Sequence, residues 1–341
     1  MAYNVPIAQA AARLTDAHGR IIHDLRVSIT DRCNYKCVYC RTGEVGAQYP
    51  ELAIDEYLRL IRLFVDLGIE KVRLTGGEPL LRRGLLDLLR ALAAMRTLKD
   101  EPLDLALTTN GHLLADLAEP LKAAGLNRVT VSMDAVDAAT FERVTRVPGS
   151  HAQVLAGIRA ARAAGLTPLK INCVLLRGFN DEQVEGFARF AREEEVIVRF
   201  IEFMPLEEDR LWSPEIVVPL AEIVERIGRV LPMHPLPPRE ASETARRYGF
   251  ADGRGEIGII APVTQAFCGA CSRVRLTSDG KIRTCLFSQI EHDLYGRMRA
   301  GENDAELRAY IAHTVQGKEA RHHIGEPGFL KPSRSMVHIG G

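Results

Sequence analysis

The sequence lacks net charge, long apolar runs and internal repeats, and each lack excludes a class of protein. Forty-four Lys and Arg balance 44 Asp and Glu. No global basic field for nucleic acid or an anionic membrane exists, and any anionic ligand needs a local cluster. No apolar stretch approaches the length that spans a bilayer. The start, Met1-Ala-Tyr-Asn-Val-Pro6, lacks the basic segment and apolar run of a secretory signal. No Gly-x-Gly-x-x-Gly follows a strand-like run, which disfavours a dinucleotide-binding fold. Low-complexity tracts are also missing, and 46% hydrophobic with 26% charged residues rules out wholesale disorder. The length, 341 residues, suits one large or two modest domains. Seven cysteines, an odd number, cannot all pair. The expected compartment is the reducing cytoplasm, where clustered thiols more often mean metal or redox chemistry than disulfides.

Short β-branched runs at 25–30, 71–75, 103–108, 128–132, 169–175 and 196–203 predict strands. Amphipathic segments at 54–67, 85–95, 113–124, 152–164 and 182–192 predict the helices between them, with Gly125 and Gly165 placed as helix stops. Serial strand–helix units mean parallel strands with helical crossovers, and their regular order favours a barrel-like arc. After residue 205 the rhythm breaks. Four prolines fall within 232–238, around a helical stretch at 220–230, strand-like pieces at 257–261, 273–277 and 281–287, and a last helix at 304–313. The expected organisation is α/β: a partial barrel over residues 1–205 and an extension over 206–341 that packs on it and covers its mouth.

Cys33, Cys37 and Cys40 follow the first strand as Cys-x3-Cys-x2-Cys. Three thiolates on one tight loop can hold three irons of a cubane, leaving the fourth iron open or ligated from elsewhere. A loop after a barrel strand sits on the face where active sites are built. A zinc site or unconnected buried thiols are the alternatives, although zinc prefers four ligands and this loop offers no histidine. Cys33-Asn-Tyr-Lys-Cys37-Val-Tyr39-Cys40 resembles the signature loop of the radical S-adenosylmethionine (SAM) enzymes, with Tyr39 as the aromatic before the last cysteine. Thr75-Gly76-Gly77-Glu78-Pro79, after the second strand, resembles that superfamily's Gly-Gly-Glu-Pro motif, which meets the SAM amino group. The resemblance implies a partial (β/α)6 barrel of the TIM type and a [4Fe-4S] cluster whose open iron binds SAM. Electron transfer then cleaves SAM to methionine and a 5′-deoxyadenosyl radical.

A second set, Cys268-x2-Cys271-x13-Cys285, lies in the extension. Spacing leaves open a structural zinc with His292 as fourth ligand or a second cubane. Cys173, among alternating apolar residues, reads as a core side chain. Arg273, Arg275, Lys281 and Arg283 make the hairpin after Cys271 basic. Either they form a solvated face, or Arg273 and Arg275 share one strand face and make a fork for phosphate oxygens.

Both cysteine sets together make the chain similar to the GTP 3′,8-cyclase family of molybdenum cofactor biosynthesis. Supporting stretches are Asp24-Leu-Arg-Val-Ser-Ile-Thr-Asp-Arg-Cys33, Leu107-Thr-Thr-Asn-Gly111, Val131-Ser-Met-Asp134, Phe200-Ile-Glu-Phe-Met204, Phe267-Cys-Gly-Ala-Cys-Ser-Arg-Val-Arg275 and the terminal Gly340-Gly341. The resemblance assigns Cys33, Cys37 and Cys40 to a SAM-binding [4Fe-4S] cluster, and Cys268, Cys271 and Cys285 to a substrate-binding one. It puts SAM on Tyr39, Gly77, Ser132 and Met204, and GTP on Arg26, Arg73, Thr108, Lys170, Arg273 and Arg275. Arg73, Thr108 and Lys170 are expected near the C-terminal ends of their strands, converging on one pocket. The alternative is that each cation pairs with a carboxylate such as Glu78 or Glu202.

The implied reaction removes the ribose C3′ hydrogen of GTP and joins C3′ to guanine C8. Arg273 or Arg275 would act catalytically, assisting reduction of the aminyl radical, and Gly340-Gly341 would enter the barrel. The implied partners are a flavodoxin- or ferredoxin-like reductant and a cyclic pyranopterin monophosphate synthase, with no nucleic acid or membrane and a monomer or homodimer as the assembly. Other readings are a peptide or sulfatase maturase of the radical SAM type, or a non-catalytic iron–sulfur or zinc protein. Arg41-Thr42 replaces the family's usual Met-Pro and shortens the loop that follows, Ser272 replaces a usual Thr, and His322-His323 reads as a surface turn.

Overall fold

A computed structural model describes residues 13–40, 47–208 and 211–339. Gly340-Gly341 and Arg41-Thr42 lie outside the described residues. The first two thirds alternate strand and helix: β1 (Asp24–Ser28), α1 (Ile54–Asp66), β2 (Lys71–Thr75), α2 (Leu85–Ala93), β3 (Asp104–Thr109), α3 (Leu114–Ala123), β4 (Arg128–Ser132), α4 (Ala138–Thr145), α5 (Ser150–Ala163), β5 (Lys170–Leu175), α6 (Val184–Glu193) and β6 (Ile197–Glu202). The rest comprises α7 (Leu220–Val230), β7 (Met233–Leu236), β8 (Arg246–Phe250), β9 (Glu256–Ile260), β10 (Arg273–Leu276), β11 (Lys281–Arg283), β12 (His292–Asp293), α8 (Leu294–Arg299), α9 (Asp304–Gln316) and α10 (Met336–Ile339).

Helix α1 shows why these residues choose their elements. Tyr57, Leu60, Ile61, Phe64 and Val65 recur at helical spacing and are buried, while Asp55 and Glu56 occupy the first turn, where the helix dipole favours anions. Gly68 follows the end with a φ of 101°. Along the strands the period is two. Leu25, Val27, Val72 and Leu74 are fully buried among the core residues. The alternate positions, Asp24 and Arg26 on β1 and Lys71, Arg73 and Thr75 on β2, line a cavity instead.

The strands form one sheet in the order β12-β11-β10-β1-β2-β3-β4-β5-β6-β9-β8-β7. Strands β1 to β6 are parallel and sequential, an open (β/α)6 arc. The later strands are not merely laid over its mouth. β10 adds parallel to β1 and β9 adds parallel to β6, so both edges of the arc are continued by the C-terminal third.

Three local expectations need correction. The β4–β5 connection holds an extra helix, α4, capped by the Asp137 side chain on the Thr140 amide. The proline-rich stretch contains β7, because Pro235 sits on the sheet's last strand, which has a partner on one side only. The run 281–287 is strand only to Arg283, and Cys285 then lies in a turn closed by Ser288 N–H donating to its carbonyl at 3.3 Å.

Candidate active site

The loop after β1 carries Cys33, Cys37 and Cys40, all half-buried. Its course is tied to the turn after β2: Gly77 N–H donates to the Thr30 carbonyl at 2.8 Å and Glu78 N–H to the Arg32 carbonyl at 2.7 Å. A Cβ at Gly76 would stand 2.1 Å from the Thr30 carbonyl oxygen, and one at Gly77 2.3 Å from that of Arg32. Only glycine permits this approach. Glu78 is fully buried and accepts from Leu80 N–H (2.9 Å), Thr109 Oγ1 (2.7 Å) and Asn110 N–H (2.7 Å), joining the turn to the end of β3. Burial pushes its carboxyl up to about 7 against those donors. Tyr39 donates its hydroxyl to Asp134 Oδ2 at 2.6 Å, and Asp134 Oδ1 accepts Val174 N–H at 2.9 Å. Tyr39, Cys40, Gly77, Ser132, Asp134 and Met204 line one cavity.

The same cavity continues down the concave face of the sheet. Register places Arg275, Arg26 and Arg73 side by side on β10, β1 and β2. Like charges directly opposite repel, and burial adds to the cost: Arg26 and Arg73 are each lowered to about 10, and Arg199 to about 9. Arg73 donates to Thr108 Oγ1 (3.2 Å) and Thr130 Oγ1 (3.3 Å), and Arg199 to Asn172 Oδ1 (2.9 Å). Among the described residues, none of Arg26, Arg73, Lys170 and Arg199 forms a carboxylate ion pair, unlike Lys71 with Glu240 at 3.1 Å. Glu78 and Glu202 do not neutralise them. Glu202 is occupied by the amides of Leu220, Val263 and Thr264. Arg26 Nε is buried with no hydrogen-bond partner. Among the described residues, this wall gathers more cations than carboxylates, with Asp24 near Arg26 and Arg73.

Lys170 opens β5 rather than lying near its C-terminal end. It reaches the cavity because the lining runs the length of the strands, from Asp24, Lys71 and Arg128 at their starts to Ser132 and Met204 at the other mouth. Burial, with Arg199, Arg239, Arg73 and Arg128 nearby, lowers its ammonium to about 7. Sequence reasoning missed Arg199, Asn172 and Asp134. The signal for Arg199 was present: a lone cation alternating with apolar residues on β6 must face something polar.

Cys268, Cys271 and Cys285 stand at one side of this wall, where Phe267, Arg273, Arg275 and Leu286 line the cavity. Arg273 Nη2 lies 3.4 Å from Cys271 Sγ, and its guanidinium covers the Phe267 ring at 5.2 Å. Burial would raise the Cys271 thiol, but Arg273 and Lys318 bring it down to about 6, favouring the thiolate a metal needs. His322 is not on a surface turn: its ring packs on Phe287 at 5.3 Å, while exposed His323 pairs with Glu326 at 2.8 Å. Cys173 is fully buried in the core.

Each set offers three partly accessible thiols, and a cubane takes each thiolate on a different iron, so the donor chemistry of both sets fits such a cluster.

Residues 27–191 match the radical SAM superfamily, and residues 196–324 match Molybdenum Cofactor Synthesis C. The GTP 3′,8-cyclase of Moorella thermoacetica is 44% identical over 96% of this chain and 100% of its own length. The chain belongs to the GTP 3′,8-cyclase family. The Acidothermus cellulolyticus member is 45% identical over 89% of this chain and 84% of its own. Among solved structures, SAM-bound SuiB of Streptococcus suis superposes with a TM-score of 0.61 at 15% identity, over 88% of this chain and 69% of that one, a likeness of fold. As a radical SAM protein of the GTP 3′,8-cyclase family, the chain takes SAM and two [4Fe-4S] clusters as cofactors.

Proposed function

We infer that the chain catalyses the radical SAM cyclisation of GTP to 3′,8-cyclo-7,8-dihydro-GTP, an early step of molybdenum cofactor biosynthesis. The observation that carries this reading is the row Arg275–Arg26–Arg73, with Arg199 and Lys170, in a cavity that two cysteine sets flank. A peptide without acidic groups would leave that charge unpaired, whereas a triphosphate neutralises it. Neither the maturase reading nor the non-catalytic one accounts for the wall.

Cys33, Cys37 and Cys40 would hold the first cluster, which when bound supplies the electron that cleaves SAM to methionine and a 5′-deoxyadenosyl radical. Tyr39, Gly77, Ser132 and Met204 would seat SAM: the Gly76-Gly77 backbone allows close approach, and Asp134 fixes Tyr39. Arg26, Arg73, Thr108, Lys170, Arg273 and Arg275 would hold GTP, placing the triphosphate along the strands and the ribose toward the cysteine loop. Cys268, Cys271 and Cys285 would hold the second cluster and, with it, the purine. Arg273 or Arg275 would assist reduction of the aminyl radical that addition of C3′ to C8 leaves on the adjacent ring nitrogen, and Gly340-Gly341 would complete the pocket. Residues 1–205 and 206–341 would serve as SAM-handling and substrate-handling parts.

No helix among the described residues is long and apolar enough to cross a membrane. We place the enzyme in the cytoplasm, supplied by a flavodoxin- or ferredoxin-like reductant, active as monomer or homodimer, and coupled to a cyclic pyranopterin monophosphate synthase. The deciding experiment is anaerobic turnover with reductant, SAM and GTP deuterated at C3′. Deuterium in 5′-deoxyadenosine together with a cyclised nucleotide is expected. Unlabelled 5′-deoxyadenosine without that product would remove GTP as substrate.

A further inference from the structure

The last described residues form part of the cavity wall. Met336 and Val337 line it, Met336 N–H donates to the Leu206 carbonyl at 3.1 Å, and Arg275 Nη1 donates to the Ile339 carbonyl at 3.1 Å. Between these anchors His338 turns the other way and is buried. Its Nδ1 lies 3.1 Å from Ser335 Oγ, and its Nε2 lies 4.0 Å from Asp31 Oδ2, two residues before Cys33. That Asp31 oxygen also accepts the amides of Gln48 (2.6 Å) and Tyr49 (2.9 Å). The Tyr49 ring meets the imidazole edge-on at 5.1 Å and lies beneath Arg334 at 3.8 Å. Arg334 in turn pairs with Asp279 (2.8 Å) and Glu291 (2.7 Å).

We propose that His338 is a positioning residue that clasps the C-terminal wall of the cavity to the Cys33–Cys40 loop through Asp31. The geometry asks for a histidine. Its two ring nitrogens meet polar groups at opposite edges, Nε2 toward Asp31 and Nδ1 toward Ser335 Oγ, which also lies 3.4 Å from Glu208 Oε1. A phenyl ring would fill the same space and meet neither. The clasp makes the seat of α10, and hence of the carbonyl that Arg275 holds, depend on the position of the loop that carries the first three cysteines. SAM cleavage is thereby tied to a closed substrate wall. This consequence rests on the function inferred above; the geometry of the clasp does not.

The test compares His338→Phe, His338→Gln and Ser335→Ala in the cluster-loaded enzyme, with two readouts. Hydrogen exchange of residues 336–339 without nucleotide should be about tenfold faster in His338→Phe, or about 1.4 kcal/mol of local stability. With GTP, that variant should form more 5′-deoxyadenosine per cyclised nucleotide than wild type. Glutamine, whose amide nitrogen can stand where Nε2 does, should restore most of both. Ser335→Ala, which keeps the ring, should shift both readouts in the direction of Phe and guards against a folding defect in the larger change. Wild-type exchange in both His338→Phe and Ser335→Ala, or a Gln variant indistinguishable from Phe, would overturn the clasp. A wild-type enzyme that yields no cyclised nucleotide would refute the assigned reaction while the exchange comparison still decides the clasp.

Discussion

Lys170 shows at the scale of one residue what an anion-shaped site does to its own groups. Its folded value of about 7 lies below the ordinary lysine value of about 10.4. The free protein therefore binds fewer protons than the unfolded chain between those limits, and the stability present above about 10 is lost as pH falls toward 7. A bound triphosphate reverses the effect by favouring the ammonium. GTP binding near pH 8 should take up protons, and affinity should fall as pH rises above about 7. Calorimetry in two buffers of different ionisation enthalpy measures the uptake. No uptake in wild type, or an unchanged uptake in Lys170→Met, would refute the assignment. Among the cysteines, Cys271→Ser should leave the first cluster's spectrum intact and abolish cyclisation; retained product would show that Cys271 holds nothing essential. The two cysteine triplets stood out by spacing, which is local, but for the later set spacing left zinc and a second cubane both open, and the cluster reading came from the family resemblance. Arg199 did not stand out, because a single charge within an apolar strand acquires meaning only when its neighbours across the sheet are known.

At the scale of elements, the contact between the turns after β1 and β2 determines where the cysteine loop lies. Gly77→Ala would place a methyl 2.3 Å from a backbone oxygen that cannot rotate away. Overpacking of this kind costs about 1–3 kcal/mol, and here the strain falls on the loop of Cys33. Iron content at the first cluster should drop with only a modest loss in the denaturation midpoint; full loading and wild-type stability would show that the turn can yield. The Gly-Gly-Glu-Pro string pointed to this turn, and the six strands with their helices followed from the change between period 2 and period 3.6. Helix α4 escaped because its apolar positions, Phe141 and Val144, are few and lie close to the next helix. Lys170 was assigned to the wrong end of β5 although the run 169–175 already put it near the strand's start, because the cations were expected to converge at the C-terminal mouth of the barrel.

For the whole molecule, the extension of the sheet at both edges matters most. Strands β1 and β6 would be open edges in a chain ending at residue 205, since β10 and β9 cover them here. Unprotected parallel edges invite association. A fragment of residues 13–205 should therefore elute as aggregate in size-exclusion chromatography, whereas the full chain should not. A monodisperse fragment would mean that the first six strands suffice for a stable unit. The same continuity brings Arg273 and Arg275 beside Arg26, which lies 247 and 249 residues earlier in the chain (273 − 26 and 275 − 26).

The sequence by itself determined whatever depends on neighbours along the chain: the two cysteine triplets, the glycine turn, the alternation of strand and helix, and the pairing of Arg273 with Arg275 on one strand face. These rest on spacing, and spacing is covalent. Only the tertiary structure decided that the late strands complete the sheet on both sides, that three arginines from separate strands stand in one row, that the cavity reaches down to Lys170, and that His338 meets Asp31. Each of these depends on register between distant segments. Register is set by the burial of whole strand faces, a property no single stretch of sequence carries.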